Sequence, residues 1–240
     1  MNKLILCEGM TDAILLSYYL GKVAGWIHCQ PPKDINIKED KIKGESVYWY
    51  KKQEDRLLIC GVGGKDKMQS FFADKVLRTM KDAAAFSKIA VILDRDDKEI
   101  SDIQAHASSI FRPVITSVVN NQWTTNKYEG PYQEEAVETL LVVIPKEHQG
   151  ALETMLLDSI SEDPYDAVIV KKAGEFVDDI ECHAKKYLVG RRERLKAHLG
   201  VTWAVQYPEK LFRFISEQIE SVEWEKSVVL AECFKELIKI

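Results

Sequence analysis

Two short apolar runs in this sequence are each followed directly by acidic residues. Residues 4–7 precede Glu8, and residues 89–93 precede Asp94. A short, fully apolar run bounded by turn residues is typical of a strand buried on both faces, as in a parallel sheet. Because the carboxyl ends of parallel strands share one edge of the sheet, where α/β proteins build their sites, we expect these acidic residues to lie close together.

The first part of the chain alternates between strand-like and helix-like segments. Strands are predicted at 3–7, 57–62, 88–93, 114–119 and 140–144, and helices at 11–24, 66–83 and 99–111. This alternation predicts an α/β fold with a mostly parallel, doubly wound sheet flanked by helices. Residues 26–56 are polar and irregular and are interpreted as an insertion, in which 46–50 is a candidate edge strand.

Beyond about residue 150 the pattern becomes helical. Helices are predicted at 150–160, 174–188, 190–199, 208–220 and 225–239. No Gly/Ser-rich linker separates this part from the first. We therefore expect an α/β domain over 1–148 and a helical C-terminal extension over 149–240 that packs on it.

Composition narrows the class of protein without identifying it. The 240 residues are 46% hydrophobic, which is enough for one substantial core. Neither a membrane-spanning stretch nor a signal-peptide pattern is present, so no membrane partner is expected. The five cysteines form no C-x-x-C pair, which disfavours a zinc ribbon or a disulfide framework and predicts a cytoplasmic protein. The net charge of −5 provides no whole-chain attraction to nucleic acid, but local basic patches remain open.

Four carboxylates are candidate ligands for a metal ion: Glu8, Asp12, Asp94 and Asp96. At close quarters they would repel one another strongly unless a cation lies among them. Oxygen ligands suit Mg²⁺ (or Mn²⁺), which accepts one or two carboxylates together with phosphate and water. Asp94 and Asp96 alternate along an extended segment and are expected to point to the same side. Glu8 is the candidate catalytic residue, as a general acid or base.

A glycine turn follows the strand at 57–62. Gly63 and Gly64 allow backbone N–H groups to approach a phosphate closely, and Lys65 adds a positive charge. These three are the predicted phosphate-binding residues. The competing interpretation is that glycines after strands are common in every α/β fold, and that Lys65 is a solvated lysine.

Ordinary structural roles compete with the acidic sites too. Asp96 is open to interpretation as a turn residue or helix cap. Asp12 equally suits the first turn of its helix, for which Thr11 is the predicted N-cap. Glu153 is either a first-turn helix carboxylate or a site residue. The basic cluster at 191–196 is interpreted as ordinary solvated helix surface, with a phosphate-contacting face as the alternative.

The order of these motifs resembles the Toprim domain. The resemblance is carried by E-G-x-S/T-D at 8–12, by D-x-D at 94–96 and by the G-x-G-G-K turn at 61–65. Topoisomerases, bacterial primases, small RNA-maturation nucleases and the overcoming-lysogenization-defect (OLD) nucleases share this domain. The match covers about residues 1–145, and the remainder is similar to a small family of stand-alone prokaryotic Toprim proteins of unknown function.

The resemblance implies a Toprim (Rossmann-like) fold and a residue assignment. Glu8 matches the glutamate that acts as general acid or base or as a metal ligand, Asp94 and Asp96 match the metal-binding pair, and Asp12 matches the acidic end of the first motif. The third acidic position of many topoisomerases and primases is Lys98 here. This departure favours the nuclease-like pattern.

Two functional hypotheses therefore stand side by side. The first is a Mg²⁺-dependent nuclease that acts on DNA or RNA, in phage defence or in nucleic-acid processing. The second is a non-catalytic Toprim-like module that binds nucleic acid, nucleotide or protein. A homodimer through the apolar terminal helix at 225–239 is left open.

Overall fold

The computed structural model describes residues 1–83, 86–210 and 214–240. A seven-stranded sheet has the order β2-β3-β4-β1-β5-β7-β6. The strands are β1 (Asn2–Cys7), β2 (Ile27–His28), β3 (Ser46–Lys52), β4 (Asp55–Gly61), β5 (Lys88–Asp94), β6 (Thr124–Glu129) and β7 (Glu134–Ile144). The four central strands β4, β1, β5 and β7 are parallel, whereas the outer pairs are antiparallel. The predicted α/β fold with a mostly parallel sheet is confirmed.

Helices cover both faces of the sheet. They are α1 (Met10–Ala24), α2 (Met68–Phe71), α3 (Arg78–Ala83), α4 (Ile100–Ile110), α5 (Leu152–Ile160), α6 (Pro164–Glu181), α7 (Arg191–Gln206), α8 (Ile215–Ile219) and α9 (Val228–Cys233). A π-helical segment, Phe72–Leu77, joins α2 to α3. None of the helices among the described residues is long and apolar enough to cross a membrane.

Alternate residues of the central strands supply two separate cores. Ile5 and Ile59 pack with α1 and the C-terminal helices, while Leu4 and Leu58 pack with α2, α3 and α4 on the other face. Burying one such side chain completely contributes about 1.5–3 kcal/mol. The helical region beyond 149 therefore shares its core with the sheet. The proposed boundary at 148–149 stays a prediction.

The predicted fourth strand at 114–119 is wrong. The sheet is instead completed by β6 and by β7, which contains the predicted strand at 140–144, and these two strands pair antiparallel. Along β6 only alternate residues are buried, Asn126 and Tyr128 among them, which is the pattern of a strand with one solvated face. The Asn126 side chain accepts from the N–H groups of Thr116 and Ser117, so a buried amide replaces the strand ladder there.

Several predicted boundaries shifted. The candidate edge strand at 46–50 is β3, but the two-residue β2 lies outside it. The predicted helix at 174–188 is observed as α6 from 164 to 181, and that at 225–239 shortens to α9. Of the predicted helix at 208–220, residues 211–213 lie outside the described residues, and α8 covers 215–219.

The N-cap of helix α1 lies two residues earlier than predicted. Thr11 is not the N-cap, because Gly9 holds that position in an extended conformation. The N–H of Gly9 donates to Oδ2 of Asp12 at 3.1 Å, the reciprocal half of a capping box. The start of α1 therefore fixes the carboxylate of Asp12 beside the end of β1.

Candidate functional site

A cavity of about 930 Å³ lies at the carboxyl edge of the parallel strands. It is bounded by the turns after β1, β4 and β5, the loop before α5, and the first turns of α7. Its lining is rich in charges of both signs: Glu8, Asp12, Asp66, Asp94, Asp96, Asp97 and Glu153 are acidic, and Lys65, Lys98, Arg191, Arg192 and Lys196 are basic. All seven residues predicted for the site, including Gly63 and Gly64, line this one cavity.

The parallel register of the sheet brings the acidic residues together. β1 lies between β4 and β5, with Leu6 opposite both Cys60 and Val91. The strands therefore end side by side, and Glu8 and Asp94 lie at neighbouring points of the sheet edge. Oε1 of Glu8 accepts a hydrogen bond from the backbone N–H of Asp94 at 3.0 Å. The predicted convergence of the two acidic motifs is thus present in the fold.

Asp94 also anchors the C-terminal part of the chain. Its Oδ1 accepts from the backbone N–H of Leu152 at 2.9 Å, at the first turn of α5. A carboxylate at a helix N-terminus is favoured because the unpaired N–H groups and the helix dipole are positive there. One residue of the sheet edge therefore fixes a helix that sequence reasoning placed in a separate region.

Asp96 departs from its predicted geometry. Its backbone has a φ of 53°, in the left-handed region that Asp and Asn tolerate better than other non-glycine residues. Its N–H donates to the carbonyl of Gly150 at 2.6 Å. The segment from Asp94 is thus not extended, and the expectation of two carboxylates alternating along a strand is wrong. Both nevertheless line the cavity, and the Asp96 side chain is 45% exposed.

Lys65 lies among the carboxylates. Its Nζ is 2.5 Å from Oδ2 of Asp96 and 3.8 Å from Oε1 of Glu8, and it donates to the carbonyl of Asp94 at 3.3 Å. Burial alone would lower the pKa of Lys65, but the hydrogen bond to Asp96 and the charge of Glu8 raise it. Lys65 is thus a charged internal counter-ion, and its binding of phosphate stays a prediction.

The glycine turn has a structural reason of its own. Gly63 has a φ of 82°, and a Cβ added to it would lie 2.2 Å from the carbonyl oxygen of Lys43 in the insertion. The N–H of Gly64 donates to the carbonyl of Glu8 at 2.8 Å. The turn therefore packs against two neighbouring segments without room for side chains. Contact of Gly63 and Gly64 with a phosphate stays a prediction.

The buried carboxylates carry more negative charge than their surroundings compensate. Burial and the nearby charge of Glu8 raise the pKa of Asp12 to about 7. Burial, with the charges of Glu8 and Asp12, raises the pKa of Asp94 well above its usual range. The pKa of Glu8 is also raised by burial, although Lys65 opposes the shift. Perturbed carboxylates in a cleft are typical of functional sites and of metal sites without their ion.

The donor set fits a hard divalent cation in chemistry, although the side chains are not gathered around a single point. Within 1–83, 86–210 and 214–240, no three His, Cys, Asp or Glu side chains are grouped closely enough to hold an ion. The available donors are carboxylate oxygens, which Mg²⁺ and Mn²⁺ prefer. Asp12, Asp94 and Asp96 would hold such an ion only if their side chains moved closer together and Lys65 withdrew from Asp96.

Sequence reasoning undervalued the contribution of α7. Arg191, Arg192 and Lys196 line the cavity, and Lys196 forms an ion pair with Glu153, which is 8% exposed. These three residues therefore line the cavity, and contact of 191–196 with phosphate stays a prediction. The spacing of 192 and 196 placed two cations on one helix face, but no local signal indicated that this face returns to the sheet edge.

Comparisons with known proteins identify a family for this chain. A family model described as "Protein of unknown function (DUF3226)" matches residues 2–239. The chain also aligns with the crystal structure of hypothetical protein PH0156 from Pyrococcus horikoshii OT3, at 15% identity over 98% of this chain and 99% of that chain, with a TM-score of 0.49. No curated protein matches the chain.

Proposed function

The chain belongs to the DUF3226 family, whose model spans nearly its whole length, and we propose its function from the site alone. The proposed function is Mg²⁺-dependent hydrolysis of nucleic-acid phosphodiesters by a Toprim-type nuclease. The observation that carries this proposal is a single cavity lined both by buried carboxylates and by cations. Carboxylates suit a divalent ion, and the cations suit the phosphates of a substrate.

The place of each motif in the sheet supports the Toprim assignment. The E-G-x-T-D motif at 8–12 ends β1 and starts α1, and the D-x-D motif at 94–96 ends β5. These two strands are parallel neighbours. Short motifs gain weight when their strand context is the expected one.

The chain's own residues divide the chemistry among them. Mg²⁺ (or Mn²⁺), when bound, supplies charge neutralisation at phosphorus and activation of the attacking water. Asp12, Asp94 and Asp96 would hold the ion. Glu8, with a pKa raised by burial above its usual range, is suited to take or give a proton.

The cations of the cavity would bind the substrate backbone. Arg191 and Arg192 lie at the start of α7 and line the same cavity as the carboxylates. A guanidinium pairs with two phosphate oxygens at once, which orients the phosphodiester as well as attracting it. Lys65 pairs with Asp96, and if Asp96 served as a metal ligand instead, the ammonium of Lys65 would be available to the same phosphate.

A second function is favoured by one observation. Lys65 already supplies a cation within 2.5 Å of Asp96, and a protein can use such an internal counter-ion in place of a metal. In that case the cavity is a non-catalytic module, which binds nucleic acid or nucleotide through Arg191 and Arg192. The two functions differ in whether binding requires a divalent ion.

The deciding experiment combines cleavage with metal binding. Labelled single- and double-stranded DNA and RNA are incubated with the protein in Mg²⁺, Mn²⁺ or EDTA, and metal binding is measured by calorimetry. We expect cleavage that depends on the ion and is lost in Glu8→Gln and Asp94→Asn. Glu129→Gln, an exposed carboxylate on β6, is the matched control and should behave as the wild type.

The results separate the two functions clearly. Substrate binding in EDTA without cleavage in either metal, and with no loss of metal binding in Asp94→Asn, would reject the nuclease and leave the non-catalytic module. Cleavage that survives both Glu8→Gln and Asp94→Asn would reject this site as the origin of the activity.

A further inference from the structure

A second cavity adjoins the cavity of about 930 Å³ that Glu8, Asp12 and Asp94 line, which we call the carboxylate cavity. It has a volume of about 520 Å³, within the usual range for small-molecule sites, and lies between α1, β3 and α8. Met10, the first residue of α1, lines both cavities. We call the second cavity the tyrosine groove. It begins where the carboxylate cavity ends and follows α1 away from Glu8.

Four of the ten described residues that line this groove are aromatic. Tyr48 and Tyr50 are two residues apart on β3 and so lie on the same face of the sheet. Tyr18 approaches from α1. Phe214, the residue before α8, also lines the groove and is 79% exposed. Aromatic faces exposed in a concave site are suited to stacking with a planar ring.

The charge of the groove is opposite to that of a phosphate-binding site. Among the described residues that line it there is no Lys or Arg, and Glu220 is the charged residue present. Beside the groove, the hydroxyl of Tyr18 donates to Glu225 at 3.2 Å, and Nζ of Lys22 lies 5.4 Å from the centroid of the Tyr18 ring. The described lining therefore presents a phosphate with a carboxylate and no cation, whereas a neutral ring with exocyclic N–H donors would find aromatic faces and acceptors.

We propose that the tyrosine groove receives an unpaired nucleobase of the substrate whose phosphate lies in the carboxylate cavity. This inference rests on the proposed function and adds the substrate class, which is single-stranded nucleic acid or a duplex end with an unpaired nucleotide. A paired base is stacked inside its helix and must be extruded before it enters a pocket. Base stacking on aromatic side chains tolerates any base sequence.

The first test measures binding without cleavage. A short labelled single strand of mixed sequence and the blunt duplex of the same sequence are titrated with the full-length protein, with Ca²⁺ replacing Mg²⁺. Removal of one stacking aromatic weakens single-strand binding by about 5- to 100-fold. We expect such a loss for Tyr48→Ala, wild-type affinity for Tyr48→Phe, and a weak duplex affinity that neither change alters. Tyr132→Ala, which removes a 96% exposed tyrosine between β6 and β7, is the control.

The second test leaves the protein unchanged. Single strands that carry one abasic nucleotide at successive positions are titrated with the wild-type protein. We expect a loss of affinity at one position or two adjacent positions, because the base that occupies the groove is missing there. This scan retains its meaning even if Tyr48→Ala does not fold.

The outcomes distinguish the groove from the nuclease. Equal affinity for single strand and duplex, together with no sensitive abasic position, overturns the groove even if the protein cleaves nucleic acid. Base-dependent single-strand binding by a protein that cleaves nothing in Mg²⁺ or Mn²⁺ supports the groove and rejects the nuclease.

Discussion

The substitution Asp12→Asn should make the protein more stable at alkaline pH. Asp12 is 8% exposed, and its pKa in the folded protein is raised from 3.8 to about 7. A carboxyl group with a raised folded pKa stabilises the fold while it is protonated. That contribution is fully present below the unfolded pKa and is lost as the pH rises through about 7. Asparagine cannot ionise, so it avoids this loss.

The magnitude follows from the shift itself. The difference between 3.8 and about 7 is about 3 pKa units, which corresponds to roughly 4 kcal/mol at 1.36 kcal/mol per unit. Asparagine keeps an acceptor for the N–H of Gly9, and the preference of that bond for the ionised group is already contained in the shift. The net gain at pH 8 is about 4 kcal/mol, which should raise the melting temperature by roughly 8–16 °C for a chain of this size. At pH 4 the gain should vanish.

The control is another aspartate at the third position of a helix. Asp102 occupies that position in α4, as Asp12 does in α1, but its side chain is exposed. Its carboxylate favours the helix dipole without burial, so Asp102→Asn should cost about 0.3–1 kcal/mol at pH 8. Thermal and urea unfolding in EDTA at pH 4 and pH 8 measure both variants. Destabilisation of Asp12→Asn at pH 8, or an equal gain at both pH values, would refute the reasoning.

Three further predictions concern the same cavity. Mg²⁺ should raise the melting temperature more at pH 8 than at pH 5, because ionised carboxylates bind the ion. Asp94→Asn should reduce this rise in melting temperature. A rise that is independent of pH would contradict the prediction. Lys65→Met should lower stability in EDTA by about 1–3 kcal/mol, since Asp96 and Glu8 lose their counter-ion; recovery in Mg²⁺ is expected, and unchanged unfolding curves would count against the counter-ion role. Gly63→Ala should destabilise the protein by more than about 1 kcal/mol because of its φ of 82° and the 2.2 Å approach to Lys43. Gly200→Ala in α7, where a Cβ meets nothing within 4 Å, should instead stabilise it by about 0.5–1 kcal/mol, and equal effects of the two changes in urea unfolding would disprove the packing argument.

The pattern of apolar residues was sufficient for the central sheet and for the acidic edge. The runs at 4–7 and 89–93 are apolar throughout because both faces of a central strand are covered, and that signal is local. Once these strands are parallel, their carboxyl ends must share an edge. Glu8 and Asp94 were therefore predictable as neighbours without coordinates.

The sequence pattern was a weaker guide for segments that have one face in solvent. The segment at 114–119 is apolar because it packs against the sheet, yet its backbone bonds to the side chain of Asn126 rather than to a strand. β6 was missed because alternate polar residues in Thr124–Glu129 resemble a loop. Tertiary packing overrides local propensity in both places.

The sequence by itself determined which strands are buried and which carboxylates follow them, because the spacing of apolar residues indicates which faces of a strand are buried. Only the tertiary structure decided that Lys65 approaches Asp96, that Arg191 and Arg192 line the same cavity as the carboxylates, and that the tyrosine groove opens beside Met10. Those relations join segments far apart in the chain. The physical reason is that electrostatic energies and pKa values depend on distance and burial in space, neither of which the order of residues states.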